Sequence, residues 1–433
     1  MQLAVFVLLF VLLLIVVRKI GSVRIPMWVS MTAGAAAVLL LGQISVTEAY
    51  AAVSWDVILF LFGMFIVGAA VDLSGFLKYY AHRCFHRLPT ARSFLLVFIF
   101  AAGFLSAVLM NDTIAIVFAP FSIWCAGKYA VSPKIFLFAL AAAVTTGGLL
   151  SPIGAPQNLL IAAAAFRGSF LPFFIYLAVP AVLSLLVLYF YLSRTLPKSG
   201  FGNPAPARSS DSEDSVRPVS KISSASVSDI SAGDSLFKLT KISIALVLAG
   251  VSAGIVLSAA GYSFPPVLVA FFGVLPLILF SGRRLELLKA IDWPTLLFFI
   301  SMFILIESVH MTGFFQTYIP ESFGTSVPVL YSTSLILSQF ISNVPYVSLA
   351  LPLLENISAA PIFYITLLAG STLAGNLTIF GAASNVIIIQ NAEKFGETLT
   401  FFEFLKLGLP LILIQSAVFV GWLILVSFFG APA

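Results

Sequence analysis

Charge is what this sequence has least of. Only 9% of its 433 residues are Asp, Glu, Lys or Arg, against 61% hydrophobic; a soluble globular domain carries about 25% charged residues. A chain so apolar cannot cover itself with polar surface, which excludes a soluble enzyme. Cysteine is nearly absent too. Cys84 and Cys125 are the two, without CxxC spacing, so neither a disulfide framework nor a zinc site is encoded. No GxxxxGK[ST] phosphate loop occurs, so this chain does not hydrolyse ATP by itself. The pattern shows no nucleophile–base pair and no metal-ligating cluster, so neither an enzyme nor a cofactor is expected. The net charge of +5 is no nucleic-acid signal, because the basic residues are spread over short loops.

What is present is apolar length. Mean hydropathy is +1.11. Stretches able to cross a bilayer lie near 2–17, 26–42, 55–74, 135–166, 171–193, 240–260, 264–281, 293–312, 361–391 and 405–429. The first runs into Arg18 and Lys19 without a small-residue cleavage site, so it reads as a span and not as a signal peptide. The stretches 135–166 and 361–391 exceed one helix of about 20 residues and are broken by Gly and Pro. The stretches 93–127 and 328–354 carry polar residues midway and read as re-entrant hairpins. On that assignment 21 of the 22 basic residues share one face, with Arg167 alone on the other. The positive-inside rule makes that face cytoplasmic and puts both termini outside. The expectation is an all-α polytopic protein of the inner (plasma) membrane with ten spans, two hairpins and two broken helices. Segment 197–236, rich in Ser, Pro and charge, reads as a cytoplasmic linker.

The halves on either side, 1–196 and 237–433, repeat one another. Trp55, Gly75 and Phe76 recur as Trp293, Gly313 and Phe314, offset 238. Asn111 and Pro120 recur as Asn343 and Pro352, offset 232; Gly148, Gly154 and Asn158 recur as Gly375, Gly381 and Asn385, offset 227. Chance likeness between apolar helices explains shared Phe and Leu, but not ordered Trp, Asn and Gly. Five spans and one hairpin per half is an odd count, so the second half sits inverted. Inverted repeats with broken helices are a carrier design, with the site between repeats near midplane.

Polar residues at such tips and breaks are candidates for solute or ion binding, because irregular backbone at membrane depth is tolerated only inside protein or beside a wet cavity. They are Asn111, Asp112 and Thr113 at the first tip, Ser342 and Asn343 at the second, Ser151, Gly154 and Asn158 in the first break, and Gly375, Asn376, Thr378, Gly381 and Asn385 in the second. Asp112 has Val344 as its mate, which suggests one protonatable or cation-binding carboxylate rather than two. The plainer alternative is an aspartate that caps the returning helix. Glu307, whose mate is Ala69, is either a second proton-coupling carboxylate or an idle residue in the outer water layer. The two cysteines read as packing. Residues 78–92, basic and aromatic, read as an amphipathic helix on anionic lipid, the joint between scaffold and moving part in an elevator carrier.

At these tips and breaks the chain resembles the ion transporter superfamily, over nearly its whole length outside the linker. Asn111, Asp112 and Thr113 look like the tip of arsenite permeases; Asn343 and Pro345 look like the second tip of arsenite permeases and P proteins. Segment 151–158 is closer to the anion-symporter and P-protein pattern. Val344 stands where dicarboxylate symporters have a second substrate-binding threonine. The resemblance, with no Lys or Arg expected at midplane, implies efflux of a small neutral solute such as arsenite or antimonite, by elevator motion, in exchange for protons. The alternative is a sodium-coupled anion carrier; an ion channel of the same architecture is a third reading. A homodimer and a cytosolic ATPase partner stay open.

Overall fold

The computed structural model describes residues 2–17, 19–20, 23–24, 26–85, 88–196, 234–314 and 326–428. Apart from a two-residue antiparallel ladder, Lys19–Ile20 with Val23–Arg24, the described residues are helical or in connections. The first half runs α1 (Gln2–Val17), α2 (Met27–Leu40), α3 (Val46–Ala52), α4 (Trp55–Leu73), α5 (Phe76–Phe85), α6 (Ala91–Leu109), α7 (Asn111–Tyr129), α8 (Pro133–Gly148), α9 (Pro156–Phe166) and α10 (Leu171–Ser193). The second runs α11 (Ser235–Ala259), α12 (Pro266–Phe280), α13 (Arg284–Lys289), α14 (Trp293–His310), α15 (Val327–Ile341), α16 (Asn343–Asn356), α17 (Pro361–Leu373), two 3-10 turns (Ala374–Asn376 and Ile379–Gly381), α18 (Ala383–Glu393) and α19 (Phe401–Phe428). Asp234 caps α11 through the amide of Leu236, so helix begins two residues before the expected repeat boundary. The rest of the linker lies outside the described residues.

Among the described residues α4, α6, α10, α11, α14 and α19 are each long and apolar enough to cross a membrane. Length alone would make α6 a span. Its end is fixed otherwise: the Asn111 amide just past it donates to Gly154 O at 3.1 Å, in the break between α8 and α9. The pair α6–α7 therefore turns back at the depth where α8 stops. With 16 and 11 residues, α8 and α9 rise about 24 and 16 Å, together close to the roughly 40 Å of a bilayer with its headgroups. The pair α15–α16 and the broken helix α17–α18 repeat the arrangement.

Packing sorts the helices into two bundles. Hairpins, broken helices, α10 and α19 form one; α1, α2, α4, α11, α12 and α14 form the other. The second bundle, the scaffold, exchanges the third span of each half: α4 packs on α11 and α12, α14 on α1 and α2. Small residues permit this exchange; Gly63 of α4 lies against Ala270 of α12, and Gly34 of α2 against Leu305 of α14. The same crossing recurs in the other bundle, where α9 packs on α16 and α18 on α7. Neither half therefore closes a core alone. Among the described residues the stretch 78–92, expected as one surface helix, is helical only to Phe85, in α5, and Ala91 and Arg92 already belong to α6; Phe76, Tyr79 and Tyr80 of α5 gather around Phe237 at the start of α11.

Candidate functional site

Each tip turns on a strained residue. Met110 (φ 69°, ψ 150°) and Ser342 (φ 78°, ψ 158°) hold a backbone region that is otherwise glycine's, immediately before the returning helices α7 and α16. Such a residue costs on the order of 1–3 kcal/mol and persists only when its surroundings over-determine it. The next residue in each tip supplies that determination. One end of the Asn111 side-chain amide faces Gly154 O at 2.9 Å, Val144 O at 3.3 Å and Ser106 Oγ at 2.5 Å; three oxygens identify that end as the NH2. The NH2 of Asn343 faces Ser371 O at 3.0 Å and Gly381 O at 2.5 Å. Ser371 and Gly381 are the repeat mates of Val144 and Gly154, so one clamp is built twice.

A second pair of asparagines closes the breaks. Asn158 Nδ2 donates to Gly148 O and Ser151 O, both at 2.7 Å. Asn385 Nδ2 donates to Gly375 O at 2.6 Å and Thr378 O at 3.3 Å. Buried carbonyls freed by unwinding must find donors, and a carboxamide reaching back ten residues supplies two. Gly154 and Gly381 are needed for close approach: a Cβ on either would strike the carbonyl of Gly148 or Ala374.

Around these clamps lies a cavity of about 470 Å³. Its walls are the tips (Asn111, Asp112, Ser342, Asn343, Val344, Pro345), the restarting helices (Pro156, Gln157, Ala383, Ser384) and the scaffold (Trp28, Thr295, Phe298, Phe299), with Gln390 from farther along α18. Four helices of the hairpins and breaks begin at this cavity, α7, α9, α16 and α18, and α2 and α14 begin on its scaffold wall. Among the described residues α2, α7, α9, α16 and α18 have no side-chain cap, as is also true of α8, α10, α12, α13, α15 and α17; Asp292 caps α14. Uncapped N-termini present free N–H groups and positive dipole ends, which suit oxygen-rich anions. Among the described residues no Lys or Arg lines the cavity.

The expected site residues divide. Asn111, Asp112, Ser342 and Asn343 face the cavity. Asp112 stands in the first turn of α7 and makes no hydrogen bond to a described residue, so it is not the cap of that helix; Met110 occupies the cap position. Thr113 packs against Gly68 of α4. Ser151, Gly154, Asn158, Gly375, Thr378, Gly381 and Asn385 lie behind the cavity and shape the breaks. Asn376 joins a separate buried network. Glu307 is not brought to the site: it lies eight residues past Phe299 on α14, beside His310 at 3.9 Å, with 42% of its side chain exposed. The sequence reading passed over Gln157 and Ser384, repeat mates in the first turns of α9 and α18 that both line the cavity. Their shared offset of 227 was the available signal. It also passed over Gln339, which ties the second hairpin to its break by donating to Ala374 O at 2.7 Å and accepting from Thr378 Oγ1 at 2.6 Å.

Comparison with known proteins agrees with this architecture. The citrate transporter family (CitMHS) matches residues 10–369. An uncharacterized transporter of Mycobacterium tuberculosis is 29% identical over 399 residues, covering 86% of this chain and 87% of that protein. The P protein of Mus musculus is 30% identical over 159 residues, 32% of this chain and 19% of its own length. The crystal structure of the Alcanivorax borkumensis YdaH transporter shares the fold, with a TM-score of 0.56 at 14% identity across 100% of this chain and 98% of that one.

Proposed function

This chain belongs to the citrate transporter family of the ion transporter superfamily and is a multi-pass membrane transporter, and from that premise we propose that it is a secondary carrier for a small oxygen-rich anion of the carboxylate class. The observation that carries the reading is the meeting of five uncapped helix N-termini, those of α2, α7, α9, α16 and α18, at one cavity. They favour a carboxylate without a cationic side chain. Gln157, Ser384 and the tip asparagines add hydrogen-bonding groups, and Phe298 and Phe299 exclude water on the scaffold side.

The carrier works by alternating access. The cavity lies where the hairpin bundle meets the scaffold, so displacement of one bundle against the other exposes it to one side at a time. The repeats are 1–196 and 237–433, inverted about the membrane plane, with the linker and the basic loops cytoplasmic and the termini outside. Asp112, the one carboxylate among the described residues of the cavity wall, carries the coupling proton or cation, which also offsets its repulsion of an anionic solute.

A second reading has its own support. Absence of Lys and Arg from the described residues of the cavity wall, together with a carboxylate there, equally suits a neutral hydroxylated solute such as arsenite or antimonite leaving in exchange for protons. Proteoliposomes loaded under imposed proton or sodium gradients separate the two. Saturable uptake of citrate or succinate, with no arsenite movement, supports the first. Proton-driven arsenite flux without carboxylate flux overturns it in favour of the second.

A further inference from the structure

Behind the cavity, where the two repeats meet, lies a set of buried polar groups that the proposed carrier cycle does not use. Asn376, in the first 3-10 turn of the second break, donates from Nδ2 to Thr146 Oγ1 at 3.1 Å and to Gln415 Oε1 at 2.8 Å. Gln415 of α19 donates from Nε2 to Thr146 Oγ1 at 3.3 Å and to Ser184 O at 3.5 Å. Asn376, Gln415, Thr146 and Ser184 are each 0% exposed and Thr145 1%. Both amide nitrogens are thereby spent. Three oxygens are not: Asn376 Oδ1, Thr145 Oγ1 and Ser184 Oγ have no hydrogen-bond partner among the described residues. Thr145 lies against the same 3-10 turn, its Oγ1 3.4 Å from where a Cβ on Gly375 would stand. Other buried hydroxyls in this bundle return their proton to the preceding turn, as Ser122 does to Phe118 O at 3.2 Å and Thr366 to Ile362 O at 2.7 Å. Thr145 and Ser184 do not.

An unpaired buried oxygen is destabilising on its own, and three on residues that adjoin one network point to a ligand that offers positive charge. The backbone points the same way. Thr145 and Thr146 stand in the last turn of α8, and Asn376 directly follows the end of α17. Two half-helices thus bring their C-terminal, negative ends to this set, the opposite polarity to the cavity, and such ends favour a cation. No carboxylate takes part, which fits a monovalent ion and not a divalent one. The arrangement belongs to one break alone: the repeat mate of Asn376 is Leu149. We infer that Thr145, Ser184, Asn376 and Gln415 form a sodium site at the junction of the repeats, separate from the cavity, with Thr146 holding the two amides in place. A filled site ties α8, α10, α17 and α19 together and holds the bundle rigid while it moves.

The test is thermal unfolding of the full-length protein in detergent, with sodium chloride titrated against choline chloride at constant ionic strength. Saturable, sodium-selective stabilisation is expected. At a sodium concentration a hundred times the Kd, the folding equilibrium constant rises about a hundredfold. Thr145→Val and Ser184→Ala remove oxygens that bond to nothing in the protein, so both variants should fold and both should weaken the sodium response at least tenfold. Gln415→Leu should abolish it if the variant folds. Stabilisation that is absent, or equal with choline, overturns the inference, and a buried water then fills the place. A sodium response kept in full by Thr145→Val and Ser184→Ala also overturns it, while leaving a sodium-coupled cavity intact. Carboxylate transport is not the readout, so failure of the proposed substrate leaves this result unaffected.

Discussion

Asn111 and Asn343 perform the same task at the tips of two hairpins, each directing its NH2 at carbonyls of the neighbouring helix break. One residue later the hairpins part. The first continues with Asp112 and the second with Val344, both on the wall of one cavity. The second hairpin is also tied to its break by Gln339, at whose repeat position the first has Ala107. The lesson is a division of labour. What holds irregular backbone inside a membrane protein is needed at both breaks and is duplicated. What handles charge is needed once and is not, since a second buried carboxylate in the same cavity would repel the first.

The largest effect should come from the difference between the tips. Asp112→Asn is expected to lower gradient-driven accumulation at least tenfold while leaving solute exchange at equal gradients measurable. Counterflow and gradient-driven uptake in the same vesicles distinguish the two. Val344→Asp should not restore the lost coupling, because it places the carboxylate on the other hairpin, against different walls of the cavity. Restoration would mean that the tips are equivalent.

Removing the shared clamps should cost less function and more stability. Asn158→Leu and Asn385→Leu each strand two buried carbonyls, worth about 2–4 kcal/mol. The two should lower the unfolding midpoint in detergent by similar amounts, since they do the same work. A loss confined to one would show that only one break needs its clamp. Gly154→Ala and Gly381→Ala place a methyl against the carbonyls of Gly148 and Ala374 and should destabilise by about 1–3 kcal/mol, again nearly alike.

The smallest effect concerns the strained residues. Met110→Gly and Ser342→Gly relieve a positive φ and should stabilise each tip by about 1 kcal/mol or less, after the entropy glycine adds to the unfolded chain. Denaturation of the single and double variants checks whether the gains add. Destabilisation would mean that the Met110 and Ser342 side chains matter more than the strain.

Membrane class, the duplicated plan and the position of both tips and both breaks were legible in the sequence, because each leaves a local mark. Apolar length records a span, and Gly, Pro and Asn interrupting it record a break. The strain at Met110 and Ser342 left no such mark, since neither residue is one that favours positive φ. Nor could order along the chain separate Asn111, which both clamps and lines, from Asn158, which only clamps.

Apolar runs, and an ordered set of polar residues that interrupt them, were enough to determine that this chain spans a membrane several times. Those properties follow from transfer of each segment out of water and from backbone hydrogen bonding within it, and need no distant partner. Only the tertiary structure decided the rest: that the third span of each half packs on the other half, that six helix starts share one cavity, that Glu307 stands apart from it, and that Gln415 meets Thr146 across 269 residues. Each of these is a contact between surfaces far apart in sequence, chosen by shape and by which buried oxygen lacked a donor.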